Sequence, residues 1–302
     1  MSKRELAFYL NPAGPSRRDI MQLLAEAGVR KIGIDGHPRG DGERAFIDSF
    51  LNDCREFGLS VYSMHAMCPL HDRPDAHSST AMRAKVESDI ERMALFGGKT
   101  AVFHACQMSE MKPHDADAAI GVIGTARFIE HYAASVRCAA KIAAKHGITL
   151  VLENIGGCTL GQSIAGIKEI IAAANEPNVG FILDAGHAHV AGVVAAEEIR
   201  IAGKLLCDTH FHDNIGKTPW TGDQHLPVGL GTINWQDVCA ALDEVGFPGP
   251  VVFEGVLGGG DVLANRGFAR DFTHRDAIAL TIANWRAFEI LGESLAIAKT
   301  RV

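Results

Sequence analysis

The chain has 302 residues, 47% of them hydrophobic and 22% charged, enough to bury a large core and too apolar for a disordered segment. Its 36 acidic and 29 basic residues leave a formal net charge of -7, which argues against non-specific attraction to a polyanion such as nucleic acid. Seven cysteines are scattered with no CxxC pair, so reduced thiols are expected rather than a disulfide scaffold or a zinc ribbon.

The N-terminal "MSKRELAFYLNPAG" lacks the long apolar segment of a signal peptide, and no apolar run is long enough to span a bilayer; a cytoplasmic protein without a membrane partner is expected. Within it lies the first strand candidate, "ELAFYL" (5 to 10). The helical pattern "SRRDIMQLLAEAG" follows and stops at Gly28. Next come "RKIGID" (30 to 35) and, after Gly58, "LSVYSMH" (59 to 65). The helical "AMRAKVESDIERMALFGG" then leads into "TAVFHA" (100 to 105). "GTARFIEHYAASVRCAAKIAAKHG" has apolar residues at helical spacing and a stop at His146-Gly147, before "ITLVLEN" (148 to 154). "VGFILDAG" (179 to 186), "LCDTHFH" (206 to 212) and "PVVFEGV" (250 to 256) complete a set of eight. All are near-continuously apolar, as strands covered on both faces should be. A C-terminal helix is expected over about 274 to 297; its apolar stripe is wider than docking on a barrel requires, and homo-oligomerisation through it is one use of the excess. Eight strand-then-helix repeats without a linker predict one domain over 1 to 302, a single (β/α)8 TIM barrel. An open doubly wound sheet would carry a glycine-rich phosphate turn after its first strand, and "YLNPAGPSRR" is not one.

In such a barrel the C-terminal strand ends and the loops after them build the site. Here they deliver His65, His104, Glu153, Asp184 with His187, His210 with His212, and Glu254. Taken alone, each reads as a cap or a hydrogen-bonded structural residue; Asp184 is suited to cap the segment behind it. Taken together, six consecutive strands ending in a carboxylate or imidazole would suffer several kcal/mol of desolvation without partners. A bound divalent cation is the natural partner of a mixed Glu, Asp and His cluster. The stretch from 210 to 235, "HFHDNIGKTPWTGDQHLPVGLGTINW", is long for a strand-to-helix loop and adds Asp223 and His225. Trp220 in its middle either covers a substrate or packs the loop down. His212 should face the same way as His210 and is a substrate or supporting contact.

These pieces resemble the sugar phosphate isomerase/epimerase superfamily, xylose isomerase-like TIM barrels related to the endonuclease IV family. The resemblance covers nearly the whole chain and rests on "VLENIGG", "FILDAGHAHVAG", "HFHDN" followed by "DQHLPVGLGTINW", and "VVFEGV", in the family's order. It implies one divalent ion (manganese, magnesium, cobalt or zinc) held by Glu153, Asp184, His210 and Glu254. In the endonuclease IV branch three zinc ions are held, and the additional ligands correspond to His65, His104, His187, Asp223 and His225, all present here. Possessing the "DxHLPxGxG" arm does not decide the branch, because it recurs in isomerase-like members.

The activity expected is a metal-dependent isomerase or epimerase of a sugar, sugar phosphate or polyol ketone, with proton transfer through a metal-stabilised enediolate. Glu153 and Glu254 are the catalytic acid/base pair or pure metal ligands. His187 reaches a substrate oxygen or a second metal. The alternative is a trinuclear zinc phosphodiesterase acting on abasic DNA. The acidic charge and the lack of a basic and aromatic DNA-contacting stretch weigh against it. A non-catalytic binding protein has little support, since both glutamates needed for proton transfer are present. A substrate phosphate would call on Lys217, Arg266 or Arg270, which equally read as solvated surface residues.

Overall fold

The structure, a computed structural model, describes residues 4–36, 39–108, 113–216, 222–256 and 273–300. Eight strands alternate with helices: β1 (Leu6–Leu10), β2 (Lys31–Asp35), β3 (Ser60–His65), β4 (Thr100–His104), β5 (Thr149–Glu153), β6 (Val179–Asp184), β7 (Leu206–His210) and β8 (Val251–Phe253). The helices are α1 (Arg17–Glu26), α2 (Glu43–Phe57), α3 (Thr80–Phe96), α4 (Pro113–Ile123), α5 (Thr125–Lys145), α6 (Ile164–Ala174), α7 (Ala185–Val190), α8 (Ala195–Ala202), α9 (Trp235–Val245) and α10 (His274–Thr300).

The strands run in the order β7-β6-β5-β4-β3-β2-β1-β8 and pair in parallel. The ring closes just past β7, where Phe211 bridges Phe253 and its N–H donates to the Val252 carbonyl at 2.8 Å. This is a single (β/α)8 TIM barrel. Every apolar run read as a strand is one, trimmed at its ends. The largest trim is at β8, whose flanks at 250 and 254 to 256 lie outside the ladder. β6 was expected to continue to 186 but stops at Asp184, because the Asp184 carboxylate caps α7: Oδ1 accepts from His187 N–H at 2.7 Å. The C-terminal helix begins where expected and runs to Thr300.

Between sheet and helices lies the main apolar layer, in which Trp285 on α10 packs edge-on to Phe253 with ring centroids 5.7 Å apart. Inside the barrel the filling is partly polar. Tyr9 on β1 reaches Ser63 at 3.1 Å, and Ser63 and Thr100 both donate to Asp208 Oδ2, at 2.7 and 2.5 Å. The Tyr9 ring lies across Gly33, where a Cβ would come within 2.1 Å of it. Its edge then supports His210, 4.7 Å away between centroids. This hydrogen-bonded plug sits directly beneath the strand ends. No helix among the described residues is long and apolar enough to cross a membrane, and the seven cysteines are free thiols.

One buried polar cluster lies away from the mouth. His71, fully buried in the loop after β3, has Nδ1 2.8 Å from Ser78 Oγ and 2.9 Å from Ser135 Oγ. Burial pushes this imidazole down to about 4, against the opposing pull of Asp72. Folded and unfolded chains therefore bind this proton equally little above pH ~6.5, and only the unfolded chain takes it up as pH falls towards 4. Stability is expected to drop by about 3 kcal/mol over that window. Urea midpoints measured against pH should show this loss in the wild type and lack it in His71→Gln.

Candidate metal centre

The strand ends bring together three adjacent groups of side chains, and within each group one candidate ligand atom per residue lies within 4.8 Å of the others. The central group is Glu153, Asp184, His210 and Glu254. Glu153, on β5, and Asp184, on β6, have no exposed surface, and neither does His210. His210 Nδ1 lies 3.1 Å from Glu153 Oε1 and 3.2 Å from Glu254 Oε2, so two carboxylates from opposite arcs of the ring meet on one nitrogen. Burial works to raise the Glu153 pKa, but His210 and His104 outweigh it and hold the carboxyl well below its usual range. Glu254 behaves alike: burial raises it, His210 opposes, and the net value is about 2.

Glu153 is shared with a second group, His65 and His104. Glu153 Oε2 is 3.3 Å from His65 Nε2 and 3.5 Å from His104 Nε2. The two Nε2 atoms are only 3.1 Å apart. His65 Nδ1 sits 3.1 Å from the Ala66 carbonyl and His104 Nδ1 3.2 Å from Gln107 Oε1. Those oxygens only accept, so each ring donates its Nδ1–H outward and, when neutral, turns an Nε2 lone pair inward. Two facing lone pairs at that distance repel unless a proton or a metal cation lies between them. Burial, partly opposed by Glu153, pushes His104 down towards its neutral form.

The third group is His187, His212, Asp223 and His225. His187 Nδ1 is 2.9 Å from the Asn154 carbonyl, which turns its Nε2 towards Asp223 Oδ2 at 3.2 Å. His225 Nε2 reaches the same oxygen at 2.7 Å. Asp223 and His225 belong to the arm between β7 and α9, which Asp213 ties down. The fully buried Asp213 carboxylate accepts from Asn214 N–H (2.8 Å), Gly229 N–H (2.8 Å), Ile233 N–H (3.3 Å) and the Trp235 indole N–H (2.8 Å). Its backbone exchanges two hydrogen bonds with Leu226, one residue past His225.

The ligand types, the outward hydrogen bonds and the buried atoms Glu153 Oε2 and His212 Nδ1, which lack a hydrogen-bond partner, fit divalent ions at this mouth. Beside it opens a cavity of about 450 Å³ over the ends of β1, β2 and β8, walled by Tyr9, Asn11, Asp35, His225, Glu254 and His274 among others.

A family model described as a xylose isomerase-like TIM barrel matches residues 21–271. The chain belongs to the xylose isomerase-like TIM barrel family. Within reach by sequence is the uncharacterized protein MJ1311 of Methanocaldococcus jannaschii, 34% identical over 118 residues; the match takes in 38% of this chain and 39% of that one. Among solved structures, a xylose isomerase domain protein of Alicyclobacillus acidocaldarius superposes with a TM-score of 0.71 at 19% identity, over 96% of this chain and 99% of that one. A D-tagatose 3-epimerase-like protein gives a TM-score of 0.70 at 22% identity, over 96% and 99%. At such identities the likeness is one of fold.

On this family's barrel, the four residues expected as metal ligands and the five expected as possible additional ones fall into three groups at one end. His212 has no exposed surface and packs between Asp184 and the arm. Trp220 and Lys217 lie outside the described residues, as do Arg266 and Arg270. Two supporting residues escaped the sequence reading. Asn154 donates to the Asp184 carbonyl at 2.9 Å and accepts from Asp184 N–H at 2.8 Å, and its own carbonyl orients His187. Asp213 is the other; the only signal for either is its place directly beside a strand-end ligand or histidine.

Removing the Asp213 carboxylate would leave four donors without their acceptor. Asp213→Ala is expected to cost at least about 3 kcal/mol. Hydrogen exchange should quicken first across residues 222 to 235, the arm that Asp213 holds.

Proposed function

We propose that the protein is a divalent-metal-dependent isomerase or epimerase acting on a small sugar or polyol ketone. One observation carries this reading: Glu153 and Glu254 reach the same His210 nitrogen, at 3.1 and 3.2 Å, and Glu254 also forms part of the wall of a 450 Å³ cavity. That volume falls in the range of small-molecule sites, about 300–1,000 Å³. The backbone likeness to a D-tagatose 3-epimerase-like protein is in keeping with such a substrate.

The reaction takes a proton from the carbon beside a carbonyl and returns it to the neighbouring carbon or to the opposite face. Glu254 is ionised at neutral pH and borders the cavity, and in this reading it takes the proton. In this reading Glu153, buried across His210, is the partner carboxylate that returns it. Both are weak bases, and short, fixed distances must compensate. Glu153, Asp184, His210 and Glu254 would hold the ion, which when bound supplies Lewis-acid polarisation of the substrate carbonyl. The one guanidinium among the described wall residues, Arg17, is already paired with Asp53.

A second reading, a phosphodiesterase using several ions, draws on a different observation: Glu153 is common to two of three contiguous groups. Metal analysis by elemental mass spectrometry, followed by parallel assays on ketoses and on abasic-site DNA, separates the two. Under the first reading, ketose turnover appears with solvent deuterium entering the substrate, and DNA stays intact. Cleaved DNA without ketose turnover would replace the first reading by the second.

Glu254→Gln is expected to lower kcat at least about 100-fold and to abolish deuterium exchange. Stripping the ions with a chelator should stop turnover, and added Mn2+ or Co2+ should restore it.

A further inference from the structure

We propose that Asp35 is a specificity residue of the cavity beside the mouth, accepting hydrogen bonds from hydroxyls at the end of the substrate remote from the reacting carbon, and that this end is uncharged and polyhydroxylated. The inference rests on the isomerase or epimerase reading for the kind of molecule bound. β2 also ends in a carboxylate, Asp35, which belongs to none of the three ligand groups. Gly33, two residues earlier, faces the Tyr9 ring inside the barrel. Strand alternation therefore turns the Asp35 side chain to that same inner face, above the plug. There it forms part of the wall of the 450 Å³ cavity that Glu254 also borders. It is exposed to that space, and among the described residues no side chain donates to it or pairs with it.

Its neighbour on the rim supplies the complementary group. β1 and β2 run side by side with Leu10 opposite Ile34, so Asn11 and Asp35, one step further on, stand next to each other. Asn11 Oδ1 accepts from Ala13 N–H at 2.9 Å, which fixes the amide and leaves its NH2 group for the cavity that Asn11 also lines. A carboxylate only accepts and an amide NH2 only donates, whereas a hydroxyl does both. Sugar hydroxyls can therefore satisfy the two side chains together, and the bond to the charged Asp35 is the stronger. An ammonium would satisfy Asp35 and leave the Asn11 NH2 unpaired. A phosphate would meet the Asp35 charge with like-charge repulsion. Leu10, Pro15 and Ile20 give the same wall an apolar stretch for the carbon skeleton. Contacts so far from the reacting carbon hold the substrate in place for the proton transfer.

The test compares the Mn2+-loaded wild type, Asp35→Asn and Asn11→Asp on D-fructose, D-tagatose, D-ribulose, D-xylulose and the terminal phosphate of each. Binding is followed by titration calorimetry and turnover by solvent deuterium entering the sugar. The wild type should bind at least one neutral ketose at least about 100-fold more tightly than its phosphate. Asp35→Asn keeps the shape and removes the charge; it should weaken that ketose about 10-fold and bring its phosphate closer to equal binding. Asn11→Asp keeps the acceptor for Ala13 N–H and removes the donor, and it should weaken the same ketose. Both side chains are exposed, so either variant should melt like the wild type. A wild type that binds the phosphates as tightly as the neutral ketoses, or binds none of these sugars, overturns the proposal. So does a preference in Asp35→Asn equal to that of the wild type. An Asp35-dependent preference without turnover leaves this inference standing and removes the isomerase reading; turnover without the preference does the reverse.

Discussion

The mouth of this barrel is organised by one charge that water cannot reach. Glu153 ends β5 with no exposed surface, and a carboxylate so placed must be compensated by its neighbours. The chain answers from three sides: His65 and His104 approach Oε2, and His210 and His187 approach Oε1. Parallel strands make this possible, because every strand end lies on the same rim and each can contribute one side chain to a common point. The polar plug of Tyr9, Ser63, Thr100 and Asp208 then gives the rim a firm floor, where an all-aliphatic barrel would leave His210 without an edge to rest on.

The imidazoles are aimed as well as gathered. Three of them hand an Nδ1–H to an oxygen that can only accept: Ala66 carbonyl for His65, Gln107 Oε1 for His104 and Asn154 carbonyl for His187. Proton position is thereby decided by backbone and amide groups that sit one to three residues away or on the next strand. Asp184 does two jobs at once, starting α7 with one oxygen and orienting His212 with the other. Short connections at β6 are what allow a single side chain to span both.

Much of this was legible in the sequence, and for an identifiable reason. Strands buried on both faces must be apolar almost throughout, so the eight runs stood out, and a carboxylate or imidazole at the ends of six of them was conspicuous against them. The ends of the runs were less legible. β6 read as continuing through Ala185 and Gly186, since small residues suit a strand as well as a tight helix start; Asp184 was legible as a cap by its residue type, but where the strand ended was not. His212 was placed on the correct rim as a substrate or supporting contact; its hydrogen bond to Asp184 could not be read from strand alternation, which tells which way a residue points and not what crosses above it. The position of the arm depends on Asp213, and four hydrogen bonds converging from Asn214, Gly229, Ile233 and Trp235 leave no periodic trace.

Glu153 belongs to two of the three ligand groups, and that sharing has a thermodynamic consequence. Occupants of the two groups would hold one carboxylate in common, one oxygen facing each. Whatever the first does to the geometry and charge of Glu153 alters the affinity for the second, and linkage requires the effect to be reciprocal and of equal size. With ions in both groups the rim would be a coupled binding system, and titration curves for the two positions would not be independent.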